Sequence, residues 1–384
     1  MQISAFTSAP GLQKKPLERN SASPCDGQGP SCQAAPAWAQ LHKLRYSGET
    51  LAARLHSLFE RAQSSPNPVV ASLQSTIENA KYVSMDLDAI KKSARELTPE
   101  QLKPADWRFP HYIDEDSPKT IDFFLLSNSI NFLFFDPKTM EKFKTQFEGK
   151  EYTGSEGMIA CIKRAMKEGV PILDASFLSK VTPEQMAHIF RGNIELPLLQ
   201  ERTDIFHEVG RTLLEKYDGS FANLTNGGKA FDGGNGIVER LTRDFPSFRD
   251  GAPGEPVFNK RAQLAVGMLH SRLQGTGVFS CPDVDQLTVF ADYQLPRGLR
   301  NMGVLKYDSE LAGRVDQGQP IERDSQMEKE IRAFTIVASE LLREELTKRP
   351  ELGNLDARGL DSYLWAMARQ DKNSKPHVTV TTAY

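Results

Sequence analysis

Four cysteines in 384 residues are too few for a disulfide scaffold. Cys25, Cys32, Cys161 and Cys281 form no Cys-x-x-Cys pair, which also removes a zinc ribbon. That usage favours a reducing compartment, and a cytoplasmic location is expected. No apolar run approaches the ~20 residues of a membrane span, and the N-terminus lacks the apolar core of a signal peptide. Lys14, Lys15 and Arg19 make it weakly basic, but Glu18 and the missing amphipathic arginine pattern argue against a transit peptide. Positive charge is not in excess. The net charge of -3 leaves no polyanion footprint, so no direct nucleic-acid partner is expected. A small phosphorylated ligand stays compatible, because it needs only a few local cations. Gly-x-Gly-x-x-Gly, Gly-x4-Gly-Lys-Ser/Thr, βαβ alternation and internal repeats are all absent, which removes the centre of a Rossmann or P-loop reading. Gly-x-Ser-x-Gly is absent too, which weakens a serine-hydrolase reading. His207-Glu208 begins like a zincin, but no second histidine follows four positions on. His111, His188 and His270 show no ligand spacing either. Neither a metal nor a cofactor is expected.

What is present is mostly helical periodicity. Residues 1–37, rich in Pro, Ser and Gly, read as a disordered tail that cannot bury enough apolar surface to offset ordering. Residues 38–384 read as a single domain. Leu51, Leu55, Leu58 and Phe59 recur on one helical face. Thr98-Pro99-Glu100-Gln101 and Thr182-Pro183-Glu184-Gln185 both look like N-caps followed by proline in the first turn. A long helix is expected over about 196–217, with Ile205, Val209, Leu213 and Leu214 inward. Others are expected over about 259–273 and 323–348. The apolar run Ile121–Phe135 reads as helix in its first half and strand in its second. The fold class is therefore mainly α, with a small β element near residues 132–160.

One acid stands out. Asp292 sits among Val289, Phe290, Ala291, Tyr293 and Leu295. Asp285 is placed to cap a short helix through Leu287, Phe290 and Ala291, and Leu295-Pro296 to start another. Asp292 would then precede a helix N-terminus, where backbone N–H groups favour an ionised carboxylate. Plain capping and a role in chemistry both fit that position. Lys260, which opens the 259–273 helix, is the second residue of interest, although a lysine there is usually solvated. Asp361 and Trp365 share one helical face, where an N-cap and core packing are the default readings.

Several stretches together resemble the queuosine salvage proteins, also called queuosine 5′-phosphate N-glycosylases or hydrolases. They are Ser129-Ile130-Asn131-Phe132, Leu198–Arg202, Glu208–Arg211, Asp218–Phe221, Phe245–Asp250, Lys260–Gln263, Phe290–Pro296 and Tyr363-Leu364-Trp365. The likeness runs from about Leu51 to the last residue. The tail falls outside it, as does a Gly-rich insertion from Thr225 to Asn235, which puts only a loop in doubt. The resemblance implies an all-helical core similar to DNA glycosylases with a small β addition. It implies release of queuine from queuosine 5′-monophosphate for reuse in tRNA. The family's catalytic aspartate falls on Asp292 and a functional lysine on Lys260.

That chemistry suggests further roles. Positive charge develops at C1′ and the ring oxygen when the glycosidic bond breaks, and a fixed carboxylate stabilises it. Asp292 suits this, by covalent attack or through a water. A 7-deazapurine has carbon in place of N7, so departure cannot be assisted by protonation there. Asp361, Asp285 or Asp283 would meet the guanine-like N–H donors, and Asn131 would add an amide. Phe132, Tyr293 or Trp365 would stack on the base. Lys260 would hold the 5′-phosphate, helped by Arg261 or His207. The competing expectations are a DNA-repair glycosylase and a non-catalytic helical scaffold that binds queuine or a protein. The first is disfavoured by the acidic net charge and the missing helix-hairpin-helix glycine motif.

Overall fold

The computed structural model describes residues 50–251 and 254–384. The expected tail of residues 1–37, with Cys25 and Cys32, lies outside the described residues. Helices dominate. Those that build and brace the central cavity are α1 Leu51–Ala62, α2 Leu87–Glu96, α3 Pro118–Ser129, α4 Ser155–Lys167, α5 Leu199–Lys216, α6 Lys260–Leu273, α7 Leu295–Asn301, α8 Gln326–Thr347 and α9 Ala357–Gln370. The strands form two antiparallel pairs. β1 Val83–Met85 pairs with β4 Leu305–Tyr307, and β2 Lys144–Phe147 forms a hairpin with β3 Lys150–Thr153. The hairpin lies within the expected region; the β1–β4 pair joins distant parts of the chain and had no local signal. No described helix is long and apolar enough to cross a membrane.

Local chemistry explains most helix starts. Thr50 accepts from the Ala53 N–H at the head of α1. Thr182 and Gln185 form a full capping box at the head of Pro183–Ile189. Three expectations need correction. Thr98 starts a turn, not a helix: its N–H and hydroxyl both donate to Gln101 Oε1, and Pro104 then disfavours helix at Lys103. Irregular backbone continues to Ser117. Leu214 is 48% exposed, because one step round α5 from buried Leu213 leads to solvent. After α3, residues 130–134 form no strand; only Phe135 makes a single bridge, to Lys142. Arginine side chains take several of the carbonyls here, and the Phe143 N–H takes that of Phe134. Arg202 donates to Ile130, Phe132 and Leu133 oxygens, and Arg261 donates to Ser129 O.

Two apolar clusters make up the interior. One is built from α3–α6 around Phe123, Phe124, Phe206 and Phe245. The other joins α1 and α2 to α7, α8 and α9 around Ile90, Leu299, Ile336 and Leu360. The segment 287–295 runs between them: Leu287, Phe290 and Tyr293 pack on the first cluster, and Val289, Ala291 and Leu295 on the second. Asp292 therefore lies in the seam.

A buried ion pair locks this seam. Asp250 receives both Arg332 Nη atoms at 2.7 and 2.6 Å, and its Oδ2 also accepts the Lys260 N–H at 3.1 Å. Arg332 Nε donates to Ala291 O at 3.2 Å. The guanidinium lies between the rings of Phe258 and Tyr384, 3.9 and 4.4 Å from their centroids. Nearby, Glu330 accepts the N–H groups of Lys81, Tyr82 and Val83, which fixes β1 against α8. Removing Asp250 leaves the buried Arg332 with only the looser contact to Glu328, 3.7 Å away. Asp250→Ala should therefore lower stability by about 3–5 kcal/mol in urea denaturation. Lys92→Ala, which removes the exposed Lys92–Glu96 contact of 3.8 Å, should shift it by less than about 0.5 kcal/mol. Equal effects would show that the clasp is no stronger than a surface pair.

Candidate active site

A cavity of about 610 Å³ opens beside the seam. Its inner wall carries Asp292, Lys260, Asp361, Asn131, Tyr293 and Phe290. Each is held by an identifiable local cause. Lys260 is the first residue of α6, preceded by Asn259 in the left-handed region (φ 50°), a conformation that asparagine tolerates. Asp292 precedes α7, and its Oδ1 accepts from the N–H groups of Gln294 (2.7 Å) and Leu295 (3.1 Å). Its Oδ2 has no hydrogen bond among the described residues. The two sequence readings of this acid thus coexist: one oxygen ties the turn and the other is left free.

The expected helix from Asp285 is only a single 3-10 turn, Val284–Gln286. Beyond it the backbone is held by side chains. Thr288 N–H donates to Gln263 Oε1 (3.0 Å) and Phe290 N–H to Asp361 Oδ1 (2.8 Å). Asp361 is not the N-cap of α9; Asp356 fills that place. Asp361 lies a turn further in, where it braces the strip that carries Asp292 and opens on the cavity.

Charge is crowded at the inner end of the cavity. Burial pushes the Asp292 carboxyl above its ordinary range, while Lys260 and the two backbone N–H groups restrain the rise. Burial lowers the Lys260 ammonium, and Asp292 and Asp361 oppose that shift. Lys260 Nζ makes no hydrogen bond or ion pair among the described residues, so its charge is available to the cavity. Burial raises Asp361 up to about 8, helped by the neighbouring Asp292 charge and opposed by the Phe290 N–H and Lys260. Two carboxyls and one ammonium share the site, so their titrations are linked.

Of the residues singled out from sequence, Asp292, Lys260, Asn131, Tyr293, Asp361 and Trp365 meet at this cavity. Phe132 does not. It is fully buried under the guanidinium groups of Arg202 (4.1 Å) and Arg261 (5.3 Å). Asp285 is exposed on the 3-10 turn, away from the cavity. His207 is bound to Val181 O at 2.7 Å, far along α5. Asp283 is used to hold the Ala230 and Phe231 N–H groups of the Gly-rich insertion. Arg261 is spent on Ser129 O and Ser247 O.

The sequence reading missed the outer wall. The irregular strap between α2 and α3 contributes Gln101, Lys103, Trp107, Phe109 and Tyr112, and α4 contributes Glu156. The only local signal was the aromatic density of Trp107–Tyr112 in a stretch without periodicity.

Known proteins resemble the chain over most of its length. The family model for "Queuosine salvage protein" matches residues 110–384. A protein of Sphaerobacter thermophilus is 34% identical over 301 residues, 77% of this chain and 91% of the relative. One from Mus musculus is 33% identical over 312 residues, again 77% and 91%. One from Schizosaccharomyces pombe is 31% identical over 278 residues, 68% and 79%. All three carry the name queuosine 5′-phosphate N-glycosylase/hydrolase.

The raised acid has a consequence for stability. Between about 4 and about 8 the folded protein keeps a proton on Asp361 that the unfolded chain has lost, so this residue's contribution falls as pH rises through that window. Asp361→Asn removes the contribution and keeps an oxygen for the Phe290 N–H. Urea denaturation at several pH values should give a flatter curve for the variant, by up to ~1.4 kcal/mol per pH unit. Identical slopes would place the proton elsewhere.

Proposed function

The chain belongs to the queuosine salvage protein family, and from that membership and the cavity we propose that it hydrolyses the N-glycosidic bond of queuosine 5′-monophosphate, releasing queuine for salvage into tRNA. The observation that carries the reading is the free oxygen of a buried aspartate, Asp292, beside the unpaired ammonium of Lys260. In this reading residues 38–384 act as one catalytic domain around a helical core of the DNA-glycosylase kind. The protein works in the cytoplasm on a free nucleotide, without direct contact to nucleic acid.

Asp292 acts on the sugar. As the C1′–N bond lengthens, positive charge spreads over C1′ and the ring oxygen, and the carboxylate stabilises it in a site that excludes water. Water adds to C1′, and the products are ribose 5-phosphate and the free base. The two N–H bonds to Oδ1 hold the carboxylate in place, so little reorganisation accompanies the reaction.

Asp361 acts on the leaving group. A neutral carboxyl matches the lactam edge of a 7-deazaguanine: its O–H donates to O6 and its carbonyl oxygen accepts from N1–H. Negative charge on the departing ring is drawn toward O6, which compensates for the carbon in place of N7. Asn131 adds an amide on the same wall, and Tyr293 and Trp365 offer faces for the ring. Lys260 holds Asp292 in its charged form and meets the 5′-phosphate as a compact cation.

Two variants test this. Asp292→Asn preserves shape and removes charge, and should release queuine from the nucleotide about 10²–10³-fold more slowly. Near wild-type release, read by chromatography of the free base, would sink the assignment. Lys260→Ala should raise KM for the nucleotide more than for the nucleoside. Equal losses on both would remove the phosphate contact and leave Lys260 acting only on Asp292.

A further inference from the structure

The cavity is chemically two-ended. Asp292, Asp361 and Lys260 influence one another at its inner end. The remaining acid on its wall, Glu156, belongs to a different neighbourhood: its charge acts on His111, Tyr112 and Tyr152. Glu156 stands in the first turn of α4, with its side chain 35% exposed. Its Oε2 lies 3.3 Å from Arg369 Nη2, whose guanidinium rests over Trp365 at 4.3 Å. Its Oε1 has no hydrogen bond among the described residues. Tyr112, Trp107 and Trp365 line the cavity with it. A carboxylate among aromatic faces is a receptor for an organic cation.

The proposed substrate carries such a cation. The queuine base bears at C7 a methylene joined to a secondary amine, which is protonated near neutral pH and ends in a hydroxylated ring. With C1′ at Asp292 and the lactam edge at Asp361, this arm needs room beyond the inner wall and an anion at its nitrogen. Resting on the function proposed above, we propose that Glu156 binds the secondary ammonium of the C7 arm. Glu156 thereby sets the preference for queuosine 5′-phosphate over nucleotides that lack the arm. It is a specificity residue, remote from the bond that breaks.

Steady-state kinetics of the full chain on queuosine 5′-phosphate and on 7-deazaguanosine 5′-phosphate test the proposal. Glu156→Gln should raise KM for queuosine 5′-phosphate about tenfold, with kcat within about twofold, and leave the armless nucleotide unaffected. Glu156→Asp, which keeps the charge, should restore most of the lost preference. An unchanged KM, or an equal rise on both nucleotides, overturns the proposal. Wild-type protein that releases no base from queuosine 5′-phosphate would instead overturn the broader function, a result distinct from a wild-type enzyme whose preference ignores Glu156.

Discussion

The Asp250–Arg332 pair is the constraint on which the site depends. It joins three segments that have no contact in sequence: the approach to α6, the strip before α7, and α8. Asp250 fixes the Lys260 N–H and Arg332 fixes the Ala291 carbonyl, so the pair holds the backbone at or next to both charged residues of the site. Desolvating two charges is costly, and a hydrophobic replacement would stabilise the fold as well. What the pair supplies is directional: bidentate geometry admits one register of the seam, whereas packing alone leaves several.

The burial that surrounds the clasp also surrounds the site. Lys260, Asp292 and Asp361 are all shifted by burial, and each charge is tolerated only because a neighbour opposes it. Asp292 gains two backbone N–H groups and Asp361 gains one, and each such bond favours the charged carboxylate. Burial pushes both carboxyls up, Asp361 to about 8, and Lys260 opposes the rise of each. In the proposed reaction, the division of labour between a charge stabiliser and a hydrogen-bond donor comes from surroundings, not from residue type.

Helices were legible wherever a repeating apolar face met a proper cap, as at Thr182 and along α5 and α8. Asp292 and Lys260 were legible because an acid among apolar neighbours and a lysine at a helix start carry local anomalies. Thr98 shows the limit: its cap chemistry is real, but Pro104 ends the helix before it begins. Asp285, Phe132 and His207 show another. Each has the right chemical type in the right region, yet the Asp285 turn faces solvent, Phe132 lies under Arg202, and His207 is bound to Val181 O. Glu156 and the aromatic strap gave almost no signal, because nothing periodic marks a loop that becomes a wall.

The sequence by itself determined the helical class, the positions of the main helices, and the presence of an unusual acid and lysine. These follow from interactions within a few residues, which repeat along the chain and leave a pattern. Only the tertiary structure decided that the seam between two cores holds these residues together, that the Asp361 carboxyl is pushed up to about 8, and that Glu156 lines the same cavity. Those outcomes rest on contacts between residues far apart in sequence. Burial, and with it the strength of every charge, is a property of the assembled interior, not of any local stretch.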